Sequence, residues 1–344
     1  MAERIIVVGG GIIGCMVARR LTESRPEAEI VMIERDVVGS GASQRSAGVH
    51  FPVGRSERVR AMSVASERYY ADLACADPSV PIYPTGLYAV AFGAAAEAAR
   101  ADFTALCHDE PPATDRRGPI AWPVGATVWQ VPGCHCADVA ALARQLAVAV
   151  RRTAVVLEGV RVTTLREEDS GVAVSLATGE TLTCDQVILA PGPWVDTPAW
   201  ADLTAPLGIR IKKVVALHLD RPAGNNDVAV MFPEEDAFLM PLRQRGHWLF
   251  SYTCMEWDVN PDAMFGGVSR HHIEEAREVL SRYAPELADE LRSGRVFCDA
   301  YGPQREPVVA ALGDRGRVIF AGAANGSGYR LAPAIAAEVL QFLD

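Results

Sequence analysis

Gly9, Gly11 and Gly14 stand as GxGxxG, with Ile12 and Ile13 inside the motif, directly after the apolar run 4–8, RIIVV. Glycine does separate work at these places. The first permits a tight turn, the second lets backbone N–H groups approach a pyrophosphate, and the third lets a helix pack on a strand. Glu34 follows Gly14 by twenty positions, where a second strand would end and a carboxylate would bond ribose hydroxyls. Glycines, strand, helix and acid together read as a dinucleotide site. The following stretch, 38–48 (VGSGASQRSAG), is rich in small side chains and backbone donors. It can line a long, flat cofactor or form a small polar surface loop, and composition leaves both open.

Two further clusters are weaker. Cys134-His135-Cys136 has no second Cys/His cluster to complete four ligands, so it reads as a structural turn, and no metal is expected. His271-His272 opens a helical stretch of mixed charge and reads as a solvated face.

The elements that must position these residues follow from the pattern of apolar runs. The runs 4–8 and 30–34 suit strands buried on both faces of a parallel sheet, with a helix over 11–24 between them that Pro26 stops. Helices are expected over 56–76, 94–107 and 138–152, with a Pro-rich loop at Pro111 and Pro112. Short alternating strands are expected at 86–92, 155–157, 160–166, 172–176 and 186–190, then an antiparallel region over 209–251. The end returns to a buried strand at 317–321 and a closing helix over 331–343. This is an α/β chain: a Rossmann-like domain with an inserted antiparallel-sheet α+β domain. The boundaries expected are 1–80, 134–206 and 304–344 for the first domain, and 81–133 and 207–303 for the second.

Composition narrows the function classes. The chain has 344 residues, 49% hydrophobic and 22% charged, with 33 basic against 43 acidic side chains. That balance suits a folded chain of about two domains. Its net charge of −10, without a basic cluster, speaks against nucleic acid. The eight cysteines form no framework, which suits a reduced, cytoplasmic chain. No targeting segment or membrane span is expected, and the number of identical copies that assemble stays open.

The GxGxxG start, Glu34, the segment G-x-G-A-S-x-R-x-A-G, Ala190-Pro191-Gly192-Pro193-Trp194 and the terminal Gly326-Ser327-Gly328-Tyr329-Arg330-Leu331-Ala332-Pro333-Ala334 resemble the D-amino acid oxidase family of FAD enzymes. The glycine oxidase and monomeric sarcosine oxidase branch fits best. The resemblance implies an FAD site. In it, Gly9, Gly11 and Gly14, with Ile12 and Ile13, hold the pyrophosphate; Glu34 and Arg35 lie at the ribose; Ala42, Ser43 and Arg45 lie near the phosphates; and the Val160 backbone meets the adenine from a strand. Ser46, Ala47 and Gly48, running on to His50, would lie near the isoalloxazine ring, beside Ala190, Gly192 and Trp194. Gly326, Gly328, Tyr329, Arg330 and Leu331 would supply backbone and a helix N-terminus at its pyrimidine end, where a positive dipole favours negative charge.

The same resemblance implies oxidation of a C–N bond in a small amino acid: hydride to the flavin, imine hydrolysis to glyoxylate and amine, and reoxidation by O2 to H2O2. Such chemistry needs a carboxylate clamp more than an acid–base pair. Arg305 and Arg330 are the candidates, since the planar guanidinium fork suits a carboxylate. His50, Phe238 and Tyr252 are candidate substrate contacts, and Phe238, Met240, Trp248 and Tyr252 hint at room for a larger N-alkylglycine. Departures matter too. Phe238 stands where glycine oxidases carry a tyrosine, Leu249 stands near the place of the sarcosine oxidase lysine, and the motif around Cys298 is not reproduced, so noncovalent FAD is expected. The alternative is an FAD-dependent dehydrogenase or oxidase of another D-amino acid or a 2-hydroxy acid.

Overall fold

The structure is a computed structural model that describes residues 2–104, 108–109, 120, 122–264 and 267–343. The expected Pro111–Pro112 loop and the end of the helix expected over 94–107 lie outside the described residues.

Strand Arg4–Val8 sits inside a six-stranded sheet whose order is Val308–Leu312, Val318–Gly322, Gln186–Leu189, Arg4–Val8, Glu29–Ile33, Val155–Leu157. All neighbours are parallel except the edge strand Val308–Leu312. The β-branched run explains this place, because both faces of the strand are covered. Ile5 and Val7 pack with Met16, Leu142 and Ile335 of helices Ile12–Ser24, Val139–Val150 and Gly328–Gln341. Ile6 and Val8 pack with Val174 and Leu176 of a three-stranded antiparallel meander, Val162–Glu168, Gly171–Leu176 and Thr181–Cys184. Helices, parallel sheet and meander thus form three layers.

The second sheet has eight strands in the order Ser293–Tyr301, Arg210–Leu219, His247–Tyr252, Ala237–Leu242, Ala229–Phe232, Leu87–Phe92, Ala126–Val131, His108–Asp109. It is antiparallel save for one parallel pair, Leu87–Phe92 beside Ala229–Phe232. Period-two alternation divides its faces. Phe250 and Tyr252 pack with Leu280 and Leu287 of helices Arg270–Ser281 and Pro285–Ala288, whereas Leu249 and Met240 join the opposite cluster with Trp129. A further small sheet pairs Val49–His50 and Ile82–Pro84 with His135–Ala137.

Several expected boundaries shift. The helix expected from 94 runs Gly93–Arg100, and strand Thr181–Cys184 was not foreseen. Val160 lies in the connection before strand Val162–Glu168 rather than on a strand. The closing helix begins at Gly328, three residues before its expected start, and carries Pro333 inside. Proline at that place cannot donate to the Tyr329 carbonyl four residues back. Helix Glu57–Ala76 supplies the replacements: the Tyr70 hydroxyl donates to that carbonyl at 2.6 Å, and Ser66 Oγ accepts from Ala334 N–H at 3.3 Å. Tertiary bonds therefore hold the first turns of a helix whose local sequence, GSGYR, reads as a turn.

Candidate active site

A cavity of about 1650 Å³ runs from the glycine turn to the inner face of the eight-stranded sheet. It exceeds the roughly 300–1,000 Å³ of an ordinary ligand pocket, as a dinucleotide plus a substrate requires. At one end the glycines of the motif divide their tasks. Gly9 has φ +108°, and a Cβ on it would lie 2.2 Å from the Ala190 carbonyl oxygen; one on Gly14 would lie 1.9 Å from that of Gly9. Those two positions lock strand, helix and the Ala190 turn together. A Cβ on Gly11, by contrast, would meet only Ser43 Oγ, at 3.5 Å. The space beside Gly11 is open to the cavity.

Glu34 closes the second strand, as its spacing demands. Its carboxylate accepts from Gly10 N–H at 2.6 Å and from Asp36 N–H at 2.9 Å, while burial raises its pKa. Ser43, in the short helix Ala42–Arg45, accepts from Ile12 N–H at 3.0 Å, so a hydroxyl stands at the helix N-terminus where a phosphate oxygen would lie. Val160 lines the cavity with its N–H bound to the Glu34 carbonyl at 3.0 Å, so the carbonyl is its remaining backbone group.

Arg35 and Trp194 form the rim at this end. The guanidinium lies 3.8 Å over the indole, and Trp194 Nε1 donates to Asp262 at 2.7 Å. Arg45 is exposed, although its field reaches Cys298. Ser46 Oγ accepts from Gly48 N–H at 3.0 Å, and its carbonyl accepts from Arg295 at 3.2 Å. Ala47, Ala190, Gly192, Gly326, Gly328 and Leu331 line the same cavity. The buried Cys298 also lines it, and burial pushes its thiol up to about 12, away from thiolate.

Farther along the cavity, Arg330 projects from the first turn of the closing helix. Its Nη2 donates to Ser327 Oγ at 2.5 Å and its Nη1 to the Phe51 carbonyl at 3.5 Å. Nε is enclosed and has no partner among the described residues. Desolvation lowers this guanidinium to about 10, with Asp236 acting against that shift. Phe238 meets Phe51 edge-on at 5.2 Å between centroids and lines the cavity. Arg305 occupies an exposed turn at the mouth with φ +57°, so the two arginines differ: one is enclosed, the other stands at the rim.

Three expectations need correction. His50 is fully buried and turned from the cavity, stacked on His135 at 4.6 Å between rings within 5° of parallel. Its strand pairs with His135–Ala137, and alternation sends the imidazole into the protein. The Tyr252 hydroxyl is bound to Glu275 at 2.7 Å, on the helix-covered face, so it cannot serve a substrate. Trp248 shares that face and Met240 is wholly buried, so of the four aromatic or apolar candidates Phe238 and part of Tyr252 line the cleft, the latter with its hydroxyl committed to Glu275. Tyr329 lines the cavity, but its buried ring stacks on Tyr70 at 4.7 Å.

His272, expected on a solvated face, is buried. Its Nδ1 accepts from Ser269 N–H at 3.1 Å, and its Nε2 meets Glu256 at 2.8 Å, near Cys254. Because Nδ1 accepts, Nε2 carries the proton, and these groups make a hydrogen-bonded network closed by Lys213.

Sequence reasoning missed Lys212. It is 7% exposed, lines the cavity, and holds Nζ 5.2 Å from the ring centroids of both Trp257 and Tyr301. Its signal was rarity, since Lys212 and Lys213 are the chain's two lysines.

The open cradle at Gly11, the helix N-terminus and the inward carboxylate of Glu34 fit the pyrophosphate and ribose of a dinucleotide. The long cavity continues past Ser46–Gly48 to Gly328, where a Cβ would meet nothing within 4 Å. Among solved structures the chain is similar to glycine oxidase from Geobacillus kaustophilus, with TM-score 0.82 and 18% identity over 99% of this chain and 95% of that one. It is also similar to L-proline dehydrogenase from P. horikoshii (TM-score 0.82, 19% identity, 99% and 93% covered). The fructosyl amine:oxygen oxidoreductase Amadoriase I from Aspergillus fumigatus gives 0.79 and 18% over 99% and 86%. Comparison with curated protein sequences gives no significant match. The family model for FAD dependent oxidoreductases matches residues 4–341, nearly the whole chain, and with the site described above this establishes the chain as a member of that family, an FAD-dependent enzyme.

Proposed function

We propose that this enzyme oxidises the C–N bond of a small amino acid, of the class of glycine, sarcosine or a larger N-alkylglycine, giving glyoxylate and the amine. The observation that carries this reading is Arg330, an enclosed guanidinium with an unpartnered Nε at the inner end of the cavity. A guanidinium largely taken out of water that makes no ion pair among the described residues, with only the exposed Asp236 acting on it, is a receiver for a carboxylate. The solved structures similar in fold include a glycine oxidase, an L-proline dehydrogenase and a fructosyl amine:oxygen oxidoreductase.

Bound FAD supplies the two-electron acceptor, with O2 as the terminal oxidant in this reading. The chain's own residues do the rest. Arg330, fixed by Ser327 and Phe51, holds the substrate carboxylate and so sets the orientation of the α-carbon. Phe51 and Phe238 wall the site with apolar surface and exclude water. With His50 turned away and the Tyr252 hydroxyl committed to Glu275, neither of these candidates can act as a base toward substrate.

Losing one partner of such a buried pair costs about 3–5 kcal/mol, and 1.36 kcal/mol is a factor of ten. Arg330→Ala should therefore lower the efficiency of flavin reduction by roughly a hundredfold or more, and Arg330→Lys should restore only part of it. Stopped-flow reduction of FAD-loaded variants measures this. Near wild-type efficiency in Arg330→Ala would place the carboxylate elsewhere.

A further inference from the structure

We infer that Lys212 is a second anion-binding point in the cleft and that the substrate carries a second carboxylate beyond the one Arg330 receives. The inference rests on the amine-oxidation reading for the first carboxylate and on the following geometry for the second.

Lys212 lies on strand Arg210–Leu219, with its ammonium over the faces of Trp257 and Tyr301, both of which line the cavity. Aromatic faces hold an ammonium in place without neutralising it. Its neighbour Lys213 shows the ordinary solution, an ion pair with Glu256; Lys212 makes no such pair among the described residues. Neither nearby acid closes an ion pair with it among the described residues. Asp299 is its cross-strand partner, but Oδ1 of that carboxylate accepts from Ala300 N–H at 3.0 Å, and burial raises its pKa to about 6. Asp236 acts on Lys212, but it lies 3.5 Å from Arg55 and accepts from Thr253 Oγ1 at 3.1 Å.

Asp236 is also the acid whose field reaches Arg330. One exposed carboxylate thus faces Arg55, Arg330 and Lys212, and Arg305 at the mouth adds a further positive field on Lys212. A substrate with one carboxylate satisfies Arg330 and leaves Lys212 buried without a counter-ion. A dicarboxylic amino acid, or a glycine whose N-substituent ends in a carboxylate, satisfies both.

The test titrates FAD-loaded protein with non-oxidisable acids in matched pairs, acetate against malonate, propionate against succinate and butyrate against glutarate, following the flavin absorbance. At least one dicarboxylate should bind tenfold or more tightly than its partner, and that preference should fall to within about twofold in Lys212→Met and recover in part in Lys212→Arg. Equal affinities in the wild type overturn the inference without any variant, and so does a preference that Lys212→Met leaves intact. Phosphate binding tighter than every dicarboxylate would overturn the carboxylate assignment. A Lys212→Met whose sole defect is slower reoxidation by O2 would assign the lysine to that step instead. Flavin bleaching by amino acids is read separately, so a protein that prefers dicarboxylates yet is reduced by no amino acid keeps this inference and loses the amine reading.

Discussion

At the scale of single residues, side-chain type was legible and side-chain direction was not. Glu34 was found because its role depends on spacing along one βαβ unit, whereas His50 was misplaced because which way it faces depends on a strand eighty-five residues away, His135–Ala137. The stacked pair His50 and His135 makes its own prediction. Burial keeps both imidazoles neutral, His50 far below the usual histidine range and His135 at about 4. The unfolded chain, with histidine near 6.5, binds more protons below that pH, so stability is full above about 6.5 and is lost as pH falls through it. Each histidine contributes up to ~1.4 kcal/mol per pH unit well below 6.5, and about 1 kcal/mol between pH 6.5 and 5.5, where its unfolded form is half protonated at the start, or about 2 kcal/mol for the pair. The melting temperature should fall steeply over that range, and His50→Phe should remove about half of the pair's share of the fall, while His218, which burial also lowers to about 4, keeps its own share. A flat profile in the wild type would show that the pair is not held neutral.

At the scale of elements, the glycine motif separates packing from ligand binding. Gly14→Ala would press a Cβ into the Gly9 carbonyl and should cost about 1–3 kcal/mol through backbone shift. Gly11 has φ −72°, which any residue adopts, and its Cβ direction is open. Gly11→Leu should therefore fold with a melting temperature near that of FAD-free wild type while its FAD content drops at least tenfold; full FAD occupancy would mean that the pyrophosphate lies elsewhere. Both glycines were legible from sequence, since the motif is local. The closing helix was only partly so: its first turns depend on Tyr70 and Ser66 bonding to groups displaced by Pro333, a contact no local pattern records.

At the scale of the molecule, the parallel sheet was readable from its continuous apolar runs, and the inserted sheet from alternation, but the cleft between them was not. Lys212 became visible once strand Arg210–Leu219 was placed beside Ser293–Tyr301, which brings it over Tyr301. The central claim concerns that cleft: FAD at one end and an amino acid held by its carboxylate at the other. Anaerobic mixing of the purified holoenzyme with glycine, sarcosine, N-alkylglycines, N-carboxyalkylglycines, D-amino acids and 2-hydroxy acids tests it most directly. The account predicts bleaching of the flavin absorbance by one or more of the amino acids, with an amine and a 2-oxo acid as products. Bleaching by 2-hydroxy acids alone, with every amino acid inert, would contradict it.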